Sequence, residues 1–168
     1  MLKHIYLAGF MGSGKSTVGP LLASRLNRPF HDLDQLIEKE QQMSISEIFA
    51  LRGEPYFRKV ESHLLRQISE LAPSIIALGG GSFASEANRQ LIDETGISVW
   101  LRIPLALAEK RCRRIRSRPL ARDPEKFQSL FRLRQTHYSL ARICVDVEGR
   151  TPAEIADEIM KRLEEATS

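Results

Sequence analysis

Lys3-His4-Ile5-Tyr6-Leu7-Ala8 runs directly into Gly9-Phe10-Met11-Gly12-Ser13-Gly14-Lys15-Ser16, and that junction decides the fold. The first six residues are a short apolar run ending in glycine, the pattern of a buried parallel strand. The next eight match G-x-x-x-x-G-K-[ST] in full. Glycines at these positions allow successive backbone N–H groups to turn inward and cradle phosphate oxygens. Val18, Leu21, Leu22 and Leu26 then recur at helical spacing, so a helix opens near Lys15 and adds the positive end of its dipole. In this motif the Lys15 ammonium reaches the β- and γ-phosphates and the Ser16 hydroxyl ligates Mg²⁺. Gly12, Ser13, Gly14, Lys15, Ser16 and Thr17 are therefore the expected ATP-binding loop.

Working outward, the spacing predicts a second strand at 29–32 and helical stretches over 33–42 and 44–71, the latter broken near Gly53 and Pro55. A buried strand over 74–78 ends in Gly79-Gly80-Gly81. A helix near 85–95, a strand over 97–101, a basic helix from Pro104, a helix near 124–141 and a strand over 143–147 follow. Thr151 as N-cap, Pro152 at the first helical position and Glu154 as capping-box acid open a last helix. Strands alternating with helices imply a parallel sheet covered on both faces, with ligands at the carboxyl ends of the strands. No repeat or linker interrupts the pattern, so residues 1–168 are expected to form one α/β domain.

The 168 residues, 42% hydrophobic and 27% charged, suit an ordinary globular chain with one core. The opening residues fit neither a signal peptide nor a membrane span, because Lys3 and His4 interrupt a short apolar run. Cys112 and Cys144 have no metal-type spacing and make no disulfide framework, so a reduced, cytoplasmic setting is expected. The net charge of +4 is unevenly spread. Lys110, Arg111, Arg113, Arg114, Arg116 and Arg118 form a basic run suited either to a solvated helix face or to a polyanion.

Asp32 and Asp34 close the second strand two residues apart, and in extended chain they share a face. One can support the Mg²⁺ shell while the other holds an acceptor hydroxyl, or one simply caps the helix from Leu33. Arg58 and Glu61 are helical neighbours, a pairing common on surfaces. Gly79-Gly80-Gly81 allows amides to close around a small anion, or merely a tight turn. Arg118-Pro119-Leu120 follows the basic helix, and Arg134 precedes Tyr138. Together these residues describe an ATP site facing a small, oxygen-rich, anionic acceptor.

In this combination the chain resembles the shikimate kinases over nearly its whole length. The phosphate loop at 9–17, Asp-x-Asp at 32–34, Ile-Glu at 37–38 and Ser-Ile-x-Glu-Ile-Phe at 44–49 carry the likeness. So do Gly-Glu-x-x-Phe-Arg-x-x-Glu at 53–61, the three glycines at 79–81 and Arg-Pro-Leu at 118–120. The resemblance implies a P-loop three-layer α/β/α sandwich with a five-stranded parallel sheet, an acceptor-binding helical region about 33–61 and a mobile lid about 112–124. It implies transfer of the ATP γ-phosphate to the 3-hydroxyl of shikimate, a step toward chorismate and the aromatic amino acids. Asp34, Arg58, Gly80, Gly81 and Arg134 would hold shikimate, with Ile45, Phe49, Glu54 and Phe57 lining the remaining pocket. Lys15, Asp34 and Arg118 would be catalytic. Asp32 would support Mg²⁺ through water beside Ser16, and Arg111 with Pro152 would sandwich the adenine. A monomer with no nucleic-acid or membrane partner follows from the same likeness.

The chain departs from the family pattern at Ala77, where Ser or Thr is usual, at Ala121 in place of Leu, and at Thr136-His137 in place of Pro-Leu. Two other readings remain open on sequence. One is a kinase for another small hydroxy acid or a nucleoside monophosphate. The other is a nucleotide-gated RNA-binding protein that uses the basic helix, with Ile143-Cys144-Val145-Asp146 imitating a strand whose Asp grips Mg²⁺. The last helix follows that run directly and no Asn-Lys-x-Asp appears, so it reads as a core strand.

Overall fold

The strand that feeds the phosphate loop lies at the centre of the sheet. In the computed structural model, which describes residues 3–114 and 123–167, β1 (His4–Ala8) is flanked by β3 (Ile75–Ala77) and β4 (Gly96–Arg102). β2 (Phe30–Asp32) and β5 (Ile143–Asp146) form the edges, giving the order β2-β3-β1-β4-β5 with every pairing parallel. Ile5 stands in register with Ile75 on one side and Ile97 on the other. All five residues of β1 are buried, which requires cover on both faces of the sheet. This is the expected α/β architecture, and the loop emerges from the carboxyl end of its innermost strand.

Between the strands run α1 (Lys15–Leu26), α2 (Leu33–Gln41), α3 (Ile45–Arg52), α4 (Glu54–Ser69), α5 (Glu86–Thr95), α6 (Leu105–Arg113) and α7 (Pro124–Tyr138), and α8 (Pro152–Thr167) follows the last strand. Helix α1 crosses β2 so closely that a Cβ on Gly19 would lie 2.2 Å from the Phe30 ring. It also packs on α8, where Arg25 donates to the Ala153 carbonyl and to Asp157. None of the described helices is long and apolar enough to cross a membrane.

The expected helical region over 33–61 resolves into α2, α3 and the first half of α4. Ser44 and Glu47 form a capping box that starts α3, which explains the Ser-Ile-x-Glu pattern physically. Gly53, at φ 83°, ends α3 and begins α4, and Pro55 fits the first turn where its missing N–H goes unused. The predicted Thr151–Glu154 box at the start of α8 is present, with Glu154 accepting from Thr151 N at 2.7 Å. Helix α7 stops at Tyr138, three residues earlier than its periodicity predicts.

Candidate active site

Gly12 and Gly14 adopt φ of 84° and 95°, left-handed conformations that side-chain-bearing residues rarely take. A turn in which Ser13 N donates to Phe10 O at 3.1 Å folds the loop back, and Gly14 accepts the first bond of α1 from Val18 N at 2.8 Å. Lys15 Nζ lies over the loop and donates to the Gly9 and Phe10 carbonyls. Phe10 is buried edge-on against two rings of α7, Phe127 at 5.2 Å and Phe131 at 5.1 Å. Arg111, from α6, donates to Gly12 O at 2.9 Å. Two helices remote in sequence therefore brace the phosphate loop.

The reading of Asp32 and Asp34 as one strand face is corrected here. The strand ends at Asp32, and Asp34 is the second residue of α2. Asp32 is the N-cap, its Oδ1 accepting from Gln35 N at 3.1 Å, so the capping role weighed for this pair belongs to it. The helical turn still brings both carboxylates to the same cavity as the loop. Asp34 lies against Gly79, where a Cβ would meet its Oδ1 at 2.6 Å and Glu61 Oε2 at 3.1 Å. Burial raises the Asp34 carboxyl to a pKa of about 6; the nearby Lys15 ammonium opposes this, while the charges of Asp32, Glu61 and Glu38 add to it.

Arg58 and Glu61 are not the surface pair their spacing suggests. Glu61 is 1% exposed, accepts from Arg58 Nη1 at 2.8 Å and accepts from Ser82 Oγ at 2.6 Å. Ser82 O in turn accepts from Asn88 Nδ2 at 3.0 Å, and Asn88 Oδ1 accepts from Ser62 Oγ at 2.9 Å. This chain of bonds ties the guanidinium to α5 and back to α4. Glu54 contacts the outer side of Arg58 at 3.3 Å. Sequence reasoning had Arg58 but gave Glu61 no buried role, and missed Ser82 and Asn88 altogether.

Gly81 passes directly under Arg58, with a Cβ there placed 2.4 Å from Nη2. Gly80 O accepts from Tyr138 Oη at 2.6 Å, and among the described residues no group accepts from the Gly80 or Gly81 N–H. The Phe49 and Phe57 rings meet at a tilt of 43° with centroids 4.8 Å apart, Phe57 buried and Phe49 at the rim, and Arg58 Cζ lies 5.1 Å from the Phe57 ring centroid. Arg134 enters from α7, one turn before Tyr138. These groups line one cavity of about 810 Å³ that also takes in Gly12 to Thr17.

Arg111 and Pro152, expected to sandwich the adenine, both line the cavity, together with Arg150, which the sequence reading did not single out. Its signal was its position two residues before Pro152. Arg118 and Ala121, with most of the expected lid, lie outside the described residues. Ala77 is buried in the cavity wall and contributes no hydroxyl. His137 Nδ1 is buried without a partner among the described residues. Asp146 is held by Arg102 at 2.6 and 2.8 Å and does not line the cavity, so the metal-gripping role considered for it is not supported by its geometry.

The oxygen donors of Ser16 and Asp32 at the loop suit a hard cation that keeps several waters. Among the described residues no group of three His, Cys, Asp or Glu side chains is placed to hold a metal alone. Mg²⁺ arriving on the nucleotide's phosphates fits that donor set.

The chain matches the family model described as shikimate kinase over residues 11–164. A shikimate kinase from Sulfurihydrogenibium sp. (strain YO3AOP1) is 40% identical over 163 residues, covering 96% of this chain and 98% of the relative. The crystal structure of shikimate kinase from Aquifex aeolicus superimposes with a TM-score of 0.89 at 41% identity, covering 98% of each chain. The structure of the Acinetobacter baumannii shikimate kinase in complex with shikimate gives 0.92 at 32% identity, over 99% of this chain and 95% of that one.

Proposed function

This chain belongs to the shikimate kinase family, and from that premise we propose how its residues divide the transfer of phosphate from ATP to shikimate. The observation that carries the reading is the single cavity shared by the phosphate loop and the Asp34, Arg58 and glycine cluster. A donor gripped by Gly12 to Thr17 and an acceptor gripped by Asp34 and Arg58 meet in it without a wall between them.

Arg58 and Arg134 pair the acceptor carboxylate, with the Gly80 and Gly81 amides beside them. Asp34 orients the 3-hydroxyl and takes its proton as the bond to phosphorus forms. Lys15 follows the charge that develops on the transferring phosphoryl oxygens. Arg118 is assigned the same task on sequence grounds, as an Arg supplied within the chain. Little covalent chemistry is asked of the protein; positioning and charge neutralisation dominate. Ser16 and, through water, Asp32 would hold Mg²⁺ arriving with ATP, which would supply further neutralisation of the phosphates. Arg111 and Pro152 face the adenine. Residues 33–61 serve the acceptor, and the segment about 112–124 serves as lid. From the family likeness we read the enzyme as a cytoplasmic monomer.

Release of ADP in a coupled assay, with and without shikimate, tests the acceptor. ADP release that is indifferent to shikimate would remove the acceptor assignment and leave the phosphate loop standing. Formation of a product phosphorylated at another hydroxyl would overturn the placement of the 3-hydroxyl at Asp34.

A further inference from the structure

Gly80 sits at the centre of the proposed acceptor site, yet a glycine there is a poor anchor. It has no side chain to pack, and both flanking peptides can rotate with little steric resistance. The structure meets this with a phenol. Tyr138 is 1% exposed, its ring packed 6.1 Å from Trp100, and its hydroxyl is held to Gly80 O at 2.6 Å. A Cβ on Gly80 would stand 3.8 Å from the Tyr138 hydroxyl. The peptide is planar and trans, so fixing the Gly80 carbonyl direction also fixes the Gly81 N–H pointing the opposite way. Burial raises the Tyr138 hydroxyl pKa well above its ordinary value, and the phenol stays a donor throughout the working pH range.

The same helix supplies Arg134 one turn earlier, on the face that meets the cavity. Helix α7 thus brings a direct anion ligand and the bolt for the amide cradle in one rigid element. At the other edge of the cradle Gly81 lies beneath Arg58. The peptide between Gly80 and Gly81 is clamped between the phenol and the guanidinium.

We propose that Tyr138 is a positioning residue for the acceptor, fixing the Gly80–Gly81 peptide so that its amide meets the shikimate carboxylate. The inference rests on the acceptor site proposed above and goes beyond it by giving a buried residue of the cavity wall a role, exerted through the glycine peptide, in affinity for one group of the substrate.

The test is Tyr138→Phe, which keeps the ring and its packing, run beside wild type and Arg58→Ala. Loss of one neutral hydrogen bond to the cradle is expected to raise the shikimate KM about tenfold. The ATP KM should not move, because no phosphate-loop residue bonds the phenol. A merely structural role is separated by an acceptor analogue in which the carboxylate is replaced by a primary alcohol, assayed as a competitive inhibitor. Wild type and Tyr138→Phe should bind that analogue equally, while differing on shikimate. Equal weakening toward both compounds, or an unchanged shikimate KM with Arg58→Ala impaired, overturns the role of Tyr138. An unchanged shikimate KM in Arg58→Ala removes the acceptor site itself, and the inference with it.

Discussion

Arg58 Nη1 donates to Glu61 Oε1 at 2.8 Å across one turn of α4, with Glu61 sealed from solvent and Arg58 30% exposed at the cavity wall. The pair is asymmetric: the buried partner holds and the exposed partner is presented. A second bond, from Ser82 at 2.6 Å, stops Glu61 from turning away. An Arg side chain free in solution samples many rotamers, and locking it before substrate arrives removes that entropy from binding.

Glu61→Gln should therefore act through Arg58. The amide still accepts a hydrogen bond but no longer pairs the charge, so the guanidinium loosens. An about tenfold rise in the shikimate KM is expected, with kcat and the ATP KM much less affected. Thermal denaturation should show a loss of about 1–2 kcal/mol, since the fold keeps its shape but loses a charge-assisted bond. Equal losses in the two KM values would contradict the assignment.

Gly81→Ala isolates the same guanidinium from the opposite side. Gly81 has φ −103° and ψ −5°, a backbone that alanine adopts without strain. The three nearest atoms all belong to the tip of Arg58, 2.4 to 2.8 Å from the added Cβ, and that tip can swing aside. Stability should fall by about 1–2 kcal/mol, because the displaced guanidinium loosens its bond to buried Glu61, while the shikimate KM rises about tenfold or more. A crystal structure of the variant should show Arg58 displaced toward Glu54. An unmoved Arg58 with normal affinity would mean that Gly81 has no bearing on the acceptor.

The sheet was legible because apolar runs ending in glycine and the full phosphate-loop pattern are local signals. Asp34 was placed in the right cavity by the wrong geometry: Asp32 caps a helix, and helical rotation after the cap turns Asp34 inward. Nothing in the pair's spacing distinguishes that from an extended face. Glu61 was visible as a neighbour of Arg58, but its burial depends on Ser82 and Gly79, which arrive from another strand end. Tyr138 reads in sequence as one more core aromatic. Its hydroxyl gains meaning only when α7 meets the glycines across 58 residues of chain. Contacts between segments that meet only in the fold leave no local pattern to read.

At the opposite end of β1, His4 makes stability sensitive to mild acid. Its Nδ1 accepts from Ser74 N at 3.1 Å, and its Nε2 faces Ser69 O at 3.2 Å, so the ring is held neutral with its proton on Nε2. Burial lowers its pKa below 6.5, and the nearby Arg28 and His31 charges act in the same direction. A group whose folded pKa is depressed contributes stability that is full above its unfolded value and is lost as pH falls below it. Wild type should lose stability against urea as pH falls below about 6.5, relative to His4→Gln. The comparison cancels His31, which is present in both proteins. Parallel urea curves across that range would remove His4 as the cause.

Asp34 responds to pH with the opposite sign, and it couples activity to stability. Its carboxyl holds its proton to about pH 6 in the fold, against an ordinary 3.8. Ionising it inside the protein thus costs about 3 kcal/mol at the limit. That cost is absent below the ordinary value, grows through the window between the two, and is complete above about 6. Asp34→Asn removes it, so the variant should be more stable than wild type by about 1–3 kcal/mol at pH 7.5, the gain disappearing near pH 4. The same change should lower kcat about a thousandfold, because an amide cannot take the hydroxyl proton. In wild type, kcat/KM for shikimate should fall about tenfold per pH unit below 6, as the free enzyme's carboxylate is protonated. The kcat profile should break at lower pH, if the bound complex keeps the Asp34 carboxylate close to cationic groups such as Lys15. A variant that turns over normally would deny Asp34 its part in catalysis, and one that gains no stability would show that the carboxylate is not strained in the resting site.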